Sequence, residues 1–353
     1  MGRKQSDRYE TWIGESRRLF STRANIRTRF LCGFGGVPTL SGWAVRLALL
    51  IPTLRELYAL LCTRIKSVFI AERATVRQLQ EAIMNPNRAL WEKGDFTRIA
   101  ATMRESGREL VESLNIVGGM HVLDLGCGDG TTALPAAQLG ANVLGIDIAS
   151  NLVAAGNARA KEERLGNLRF QEGDASKLEG IADDQFDIAV SVFGAMFAPR
   201  PDDVAREMVR VTKPGGRIVM GNWIPGDPTL VAQILKISAA YTPAPPEGFV
   251  SPVTWGVEAI ARERFGTAGI PSDHVTCERA TYVFRHPGPP TELLDAFRRY
   301  YGPTMNAFAA AESNGRTDDL LGELSALFVA QNQGGPTETI IPATFLKVTV
   351  RKP

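Results

Sequence analysis

VLDLGCGDG, residues 122–130, sets a short apolar run directly ahead of three glycines that alternate with other residues. Such a run reads as a buried strand, and a glycine-rich turn behind it lets a ligand approach the backbone. A dinucleotide fingerprint has the spacing G-x-G-x-x-G, its third glycine packing the next helix against the strand. Here Gly126, Gly128 and Gly130 follow G-x-G-x-G, with Thr131 next. That spacing predicts a loop less suited to a pyrophosphate. Asp124, inside the strand end, points the same way: a carboxylate there repels a diphosphate and accepts hydrogen bonds from an ammonium group. The ligand expected is one with an amino acid moiety.

Outward from this loop, strands and helices alternate. HVLDL (121–125), NVLGI (142–146), LRFQE (168–172), FDIAVSVF (186–193) and GRIVMGNW (216–223) read as strands. TALPAAQLG (132–140), NLVAAGNARAKEERLG (151–166) and DDVAREMVRVT (202–212) read as helices between them. This rhythm predicts a parallel sheet with helices on both faces. Ahead of it, residues 95–113 have apolar positions at helical spacing, with Asp95 as N-cap. After Trp223 the rhythm breaks into a helix (229–241), a Pro-rich loop (242–252), an alternating strand (274–286), two helices (292–311 and 318–331) and a last strand (344–352).

Two further acids stand at strand ends. Asp147 closes GID (145–147), 21 residues after Gly126, where a carboxylate can hold both hydroxyls of a ribose. Dinucleotide enzymes use an acid there too, so this feature says nucleoside without saying which. Asp174 in EGDAS (172–176) stands where it could accept a hydrogen bond from the exocyclic amine of adenine. Ammonium, ribose and adenine together spell S-adenosylmethionine rather than NAD.

On these motifs residues 90–223 resemble the class I S-adenosylmethionine-dependent methyltransferases. VLDLGCGDG looks like the family's glycine loop, GIDIAS its ribose-binding acid, EGDAS its adenine segment, and FDIAVSVFGAMF its fourth strand and active-site lip. RVTKPGGRIVMGNW is similar to the turn and fifth strand of the branch that includes ubiquinone- and menaquinone-type methyltransferases. The resemblance implies an α/β, Rossmann-like, doubly wound seven-stranded sheet, mostly parallel with an antiparallel last strand, plus helical lid insertions. It implies that Gly126 and Gly128 approach the methionine part of the cofactor, with Asp124, Cys127, Asp129 and Gly130 also among the cofactor-binding residues. Asp147 would then hold the ribose, EGDAS with Asp174 would contact the adenine, and Ser191 and Val192 would line the far side, with Ile148 and Ala175 also among the cofactor-binding residues. ALWEKGDF (89–96) looks like the piece that closes over the cofactor, with Trp91 and Asp95 as lid candidates. For Trp91 and Asp95 alike, plain packing and capping are the competing reading.

Methyl transfer needs alignment and exclusion of water, and no catalytic dyad announces a general base. The lip SVFGAMFAP (191–199) lacks the Asn/Asp-Pro-Pro-aromatic run of amino-methylating nucleic-acid enzymes and the paired glutamates of protein arginine methyltransferases. Its apolar side chains, Phe193 and Met196 among them, predict a small apolar or aromatic acceptor, with plain space filling as the alternative. Trp223, Trp255 and one of Tyr300 and Tyr301 would roof that pocket. His274 beside Asp273 could form a base–orienter pair or simply end a strand in solvent. Cys127 reads as structural.

With 44% hydrophobic and 22% charged residues, 353 in all, the chain can bury one large core plus additions. The domain boundary is expected at Met84, with a core over 115–223, lid and acceptor-side insertions over 224–272 and 287–335, and the last strand over 340–352. Residues 1–83 hold 14 Lys/Arg against 6 Asp/Glu, and the remainder 26 against 32. Three readings of this basic, helical or poorly ordered extension compete: a helical appendage, an arm for nucleic acid or anionic membrane, or a segment outside the working protein. No nucleic-acid reader motif accompanies its arginines, so no nucleic-acid partner is expected. Residues 43–61 are interrupted by Arg46, Pro52, Arg55 and Glu56, so no stable membrane insertion is expected either. Four scattered cysteines without a CxxC pair fit a reducing cytoplasm, and three scattered histidines exclude a His-based metal centre. Beside a methyltransferase, two alternatives stand: a non-catalytic S-adenosylmethionine-binding protein and an NAD(P) oxidoreductase.

Overall fold

The computed structural model describes residues 87–353, all within the chain's unit Val76–Pro353. The basic extension expected over 1–83 lies outside the described residues. Seven strands, β1 (His121–Leu125), β2 (Asn142–Asp147), β3 (Leu168–Glu172), β4 (Phe186–Val192), β5 (Thr212–Trp223), β6 (Val275–His286) and β7 (Thr339–Arg351), form one sheet in the order β3-β2-β1-β4-β5-β7-β6. The first five run parallel, and β7 is antiparallel to both β5 and β6. This is the expected Rossmann-like sheet with its antiparallel last strand.

The inner parallel strands β1, β2 and β4 are apolar almost throughout because both faces are covered. In β1, Leu123 and Leu125 enter one core while Val122 enters the other; in β4, Ala189 faces the first and Ile188 and Val190 the second. That is the two-residue period of a pleated strand carried into two separate cores. Toward the sheet's far edge the pattern changes. β7 alternates buried and half-buried residues, and the edge strand β6 is exposed along much of its first half.

Among the described residues the helices before β6 are α1 (Asn87–Glu92), α2 (Thr97–Ala100), α3 (Arg104–Ser113), α4 (Ala133–Gln138), α5 (Ser150–Glu162), α6 (Pro201–Val211), α7 (Leu230–Ala239) and α8 (Glu258–Thr267). After β6 come α9 (Pro290–Tyr300), α10 (Gly302–Ser313) and α11 (Thr317–Gln331). α6 shows how these segments choose their state. Pro201 opens it, Asp202 and Asp203 stand in its first turn and Arg210 in its last, all favourable to the helix dipole. Val204, Ala205, Met208 and Val211 make its buried stripe.

Three local expectations need correction. The single helix expected over 95–113 is broken by a tight turn at Ala101–Met103, and Asp95 is no side-chain cap: α2 follows Phe96. The helix expected over 292–311 breaks at Tyr301, because Pro303 cannot donate to the preceding turn. KPGG (213–216) is absorbed into β5, where the register against β4 shifts between Phe186 and Ile188.

In this strand order the sheet reverses direction of growth between β1 and β4. Loops leaving the carboxyl ends of those two strands diverge, and open α/β sheets bind ligands in the crevice so formed. The edge strand also reaches this end: β6 packs on Ala101–Met103 and on α3, where the Ser106 hydroxyl accepts the Val283 N–H at 2.9 Å.

Candidate active site

The glycine loop turns sharply in the crevice. Gly126, Gly128 and Gly130 have φ of 64°, 54° and 92°, a left-handed region costly for any residue with a Cβ. The Gly126 and Cys127 N–H groups both donate to the Ile146 carbonyl, at 2.8 and 3.2 Å, tying the loop to β2. A Cβ on Gly126 would stand 2.5 Å from Gly194 Cα, so the loops after β1 and β4 touch backbone to backbone. A Cβ on Gly128 would meet nothing within 4 Å, which leaves open space beside the loop.

Gly130 departs from its expected role. It does not line the cavity; a Cβ there would strike the Leu134 side chain and stand 2.7 Å from Phe170 Cζ. It is the glycine that packs the helix on the sheet, one position earlier than in the dinucleotide pattern, and Thr131 faces the cavity instead.

The cavity brings together Trp91, Asp124, Gly126, Cys127, Gly128, Asp129, Asp147, Ile148, Ala175 and Val192 of the expected cofactor residues. Three of these are buried carboxylates. Asp124 is 1% exposed, and its Oδ2 has no hydrogen-bond partner. Burial, then repulsion from Asp147, pushes its carboxyl up to about 8 against the N–H of Ala133, which favours the ionised form. Asp147 accepts the Gly128 N–H on Oδ2 at 2.8 Å and the Ala149 N–H on Oδ1 at 2.9 Å; burial raises its pKa and these two donors oppose the rise. Asp129 bonds Arg104 at 2.8 Å and lies 3.4 Å from Arg159, with Oδ1 unpartnered; burial raises its pKa while the two arginines lower it. Burial pushes the Cys127 thiol well up, the opposite of what a nucleophile needs.

Two cofactor expectations fall elsewhere. Ser191 is buried with its hydroxyl donating to Leu125 O at 2.7 Å and accepting Ala195 N–H at 2.9 Å, so it ties β4 to β1 and does not line the cavity. Asp174 turns Oδ1 onto the N–H and hydroxyl of Ser176, at 2.8 and 2.6 Å, closing a turn. Its neighbours Gly173 and Ala175 line the cavity; it does not.

α1 lies across the mouth. Glu92 accepts the Ser150 N–H at 3.0 Å and its hydroxyl at 2.8 Å, and Arg88 pairs with Glu172 at 3.0 Å. These ties bring Trp91 over the cavity. The other lid candidate, Asp95, is engaged by Thr97 and Arg98 and does not line it.

Beside the cavity, and sharing Trp91, Phe96, Met103, Phe193 and Phe197 with it, lies an aromatic chamber. Phe193 forms the partition. Its φ of 60° is unusual for a bulky side chain, and its ring stacks on Trp223 with centroids 3.7 Å apart and planes 9° apart. Trp91 meets Phe197 edge-on at 4.9 Å. Of the residues expected around the acceptor, Trp223 and Tyr301 line the chamber, and Met196, Trp255 and Tyr300 line neither space. Met196 is core in the short turn after β4, and the next residue, Phe197, faces inward in its place. Trp255 is buried against Phe265 and under the Arg264 guanidinium, 4.5 Å from its ring. His274 Nδ1 bonds the Arg351 carbonyl at 3.0 Å and takes no part in either space.

Sequence reasoning missed Tyr282, Phe284 and Phe297. Phe297 carried a signal, since Leu293 and Phe297 stand four residues apart on the buried face of α9. Tyr282 and Phe284 carried none, because nothing local says that an edge strand reaches the crevice.

Residues 123–220 match the Methyltransferase domain family. The chain is 32% identical over 252 residues, covering 69% of itself and 88% of the relative, to Mycobacterium tuberculosis (strain ATCC 25618 / H37Rv) "Uncharacterized protein Rv1405c". It is 34% identical over 116 residues, 33% of itself and 44% of the relative, to the demethylmenaquinone methyltransferase of Paenarthrobacter aurescens (strain TC1). Among solved structures, the YcgJ protein from Bacillus is similar at 20% identity, with 70% of this chain and 99% of that one covered and a TM-score of 0.47. The chain belongs to the class I S-adenosylmethionine-dependent methyltransferases, which sets the oxidoreductase and non-catalytic alternatives aside. Membership carries S-adenosylmethionine with it as methyl donor. No helix among the described residues is long and apolar enough to cross a membrane.

Proposed function

We propose that the chain methylates a small apolar or aromatic acceptor held in the aromatic chamber, with the donor in the cavity over the glycine loop. The observation that carries this reading is the contrast in lining. The cavity holds Asp124, Asp129 and Asp147, whereas the chamber is walled by aromatic and aliphatic side chains, none of them charged, with the Tyr301 phenol and the indoles of Trp91 and Trp223 as its polar-bearing groups. Burial raises that phenol's pKa, so it stays protonated and can orient an acceptor oxygen without removing a proton from it.

The cavity fits the donor on its own geometry. The unpartnered Asp124 Oδ2 suits an ammonium group, and the open space at Gly128 admits a chain of atoms against the backbone. Asp147 has a second lone pair on each oxygen for ribose hydroxyls beyond the two N–H groups it already accepts. Gly173 and Ala175 leave room for a flat base. When bound, S-adenosylmethionine supplies an electrophilic methyl carbon. Phe193, Phe197 and Trp91, common to both spaces, hold the acceptor in line and exclude water. No carboxylate, imidazole or amine faces the chamber, so the acceptor brings its own nucleophilic atom.

The test is to add purified chain and S-adenosylmethionine to a cell extract and profile metabolites. An aromatic or apolar metabolite that gains one methylene is the expected result. Methyl label passing only to nucleic acid, protein or strongly polar metabolites would overturn the acceptor reading.

A further inference from the structure

Tyr282 is placed where the edge strand crosses the mouth of the crevice. It is 1% exposed, lines the same cavity as Asp124, and its hydroxyl is buried without a hydrogen-bond partner. A buried hydroxyl left without a partner is costly, so a ligand in this cavity gains by completing it.

The position of the hydroxyl is set by its neighbours. A Cβ built on Gly107 of α3 would stand 2.9 Å from Tyr282 Oη and 2.6 Å from Thr131 Cγ2, so Oη sits over the residues that follow the glycine loop. The ring is held by edge contacts with Phe193 at 5.1 Å and Phe345 at 6.1 Å. Oη and Asp124 Oδ2 are both unpartnered, so they are not bonded to each other. They are near enough that the Asp124 charge, after burial, helps raise the phenol's pKa. One is a neutral donor and the other an acceptor, and both line the same cavity. A group carrying both an ammonium and a carboxylate matches that pair.

Resting on the donor reading above, we propose that Tyr282 binds the carboxylate of the donor's methionine end while Asp124 accepts from its ammonium. Recognition of the amino acid is thus shared between the glycine strand and a strand outside the family-matched segment 123–220. A nucleoside sulfide without that end meets neither group.

Three ligands separate the roles by calorimetry on the full chain: S-adenosylhomocysteine, decarboxylated S-adenosylmethionine, which keeps the ammonium alone, and 5′-methylthioadenosine, which has neither group. Tyr282→Phe is expected to weaken S-adenosylhomocysteine about tenfold or more, the scale of a hydrogen bond to a charged group, and to leave the other two unchanged. Asp124→Asn is expected to weaken the first two and spare the third. Unchanged S-adenosylhomocysteine affinity in Tyr282→Phe, or an equal loss across all three ligands, would overturn the assignment. Wild-type chain that binds none of them would overturn the donor reading itself, and this inference with it.

Discussion

The glycine-loop cavity and the aromatic chamber share walls but differ in chemistry. One gathers three buried carboxylates around a glycine turn, from β1, β2 and the turn itself, all three shifted toward the protonated form by burial. The other gathers stacked rings and offers no charge. The cavity keeps acceptors on Asp124 and Asp129 without a partner that a cationic ligand can satisfy, whereas the chamber has no charged side chain and offers shape and ring stacking instead. On the proposed reading, binding of the charged donor and placement of the acceptor are separable, with Phe193 and Trp91, which line both spaces, at the boundary.

The most severe way to break the contrast is at Gly126. Gly126→Val forces a side chain into Gly194 from a left-handed backbone. Donor affinity should fall by roughly a hundredfold or more, with a lowered melting temperature; calorimetry and thermal melts check both. On the chamber side, Trp223→Ala removes the ring stacked on Phe193 and should cost about 3–5 kcal/mol of stability. In denaturant titrations this loss appears, while donor affinity in the surviving folded protein stays close to wild type. Equal damage to donor binding would dissolve the division. Asp147→Ala should weaken the donor by more than about tenfold, through lost ribose contacts and a released Gly128 N–H.

A pH experiment sharpens the comparison. Asp124 has a folded pKa of about 8 against an ordinary 3.8, so between those values the folded chain holds a proton that the unfolded chain has released. Its contribution to stability is full below about pH 4 and is lost as pH rises toward 8, with a slope of up to about 1.4 kcal/mol per pH unit. Asp129 and Asp147 act in the same direction; Asp124→Asn should flatten the slope without abolishing it. Donor binding at neutral pH should release a proton as the ammonium draws Asp124 into its ionised form, read by calorimetry in two buffers of different ionisation enthalpy. The smallest effect is expected from removing residues 1–83, which should leave donor affinity unchanged; lost binding would place that segment in the working domain.

Local patterns carried most of the sheet and one side of the site. The strand rhythm from 121 to 223 names the five parallel strands because the inner ones, β1, β2 and β4, are buried on both faces and therefore read as apolar runs. The glycine turn and the acids at the ends of β1 and β2 are legible for the same reason: each stands beside its strand in the chain. Legibility fails where function depends on distant packing. Asp174 looked like a ligand residue, yet its carboxylate closes a turn on Ser176, and Ser191 is spent on Leu125. Trp255 looked like a roof, yet it fills a core next to Arg264. Tyr282 reaches the crevice because β6 meets α3 through Ser106 and Val283, a contact 177 residues apart in the chain.

The most direct measurement is a crystal structure of the chain soaked with S-adenosylhomocysteine. The expected map shows the ammonium at Asp124, the ribose at Asp147 and the sulfur facing the chamber past Phe193. Density for the ligand outside the glycine-loop cavity, or a sulfur turned away from the aromatic chamber, would contradict the account.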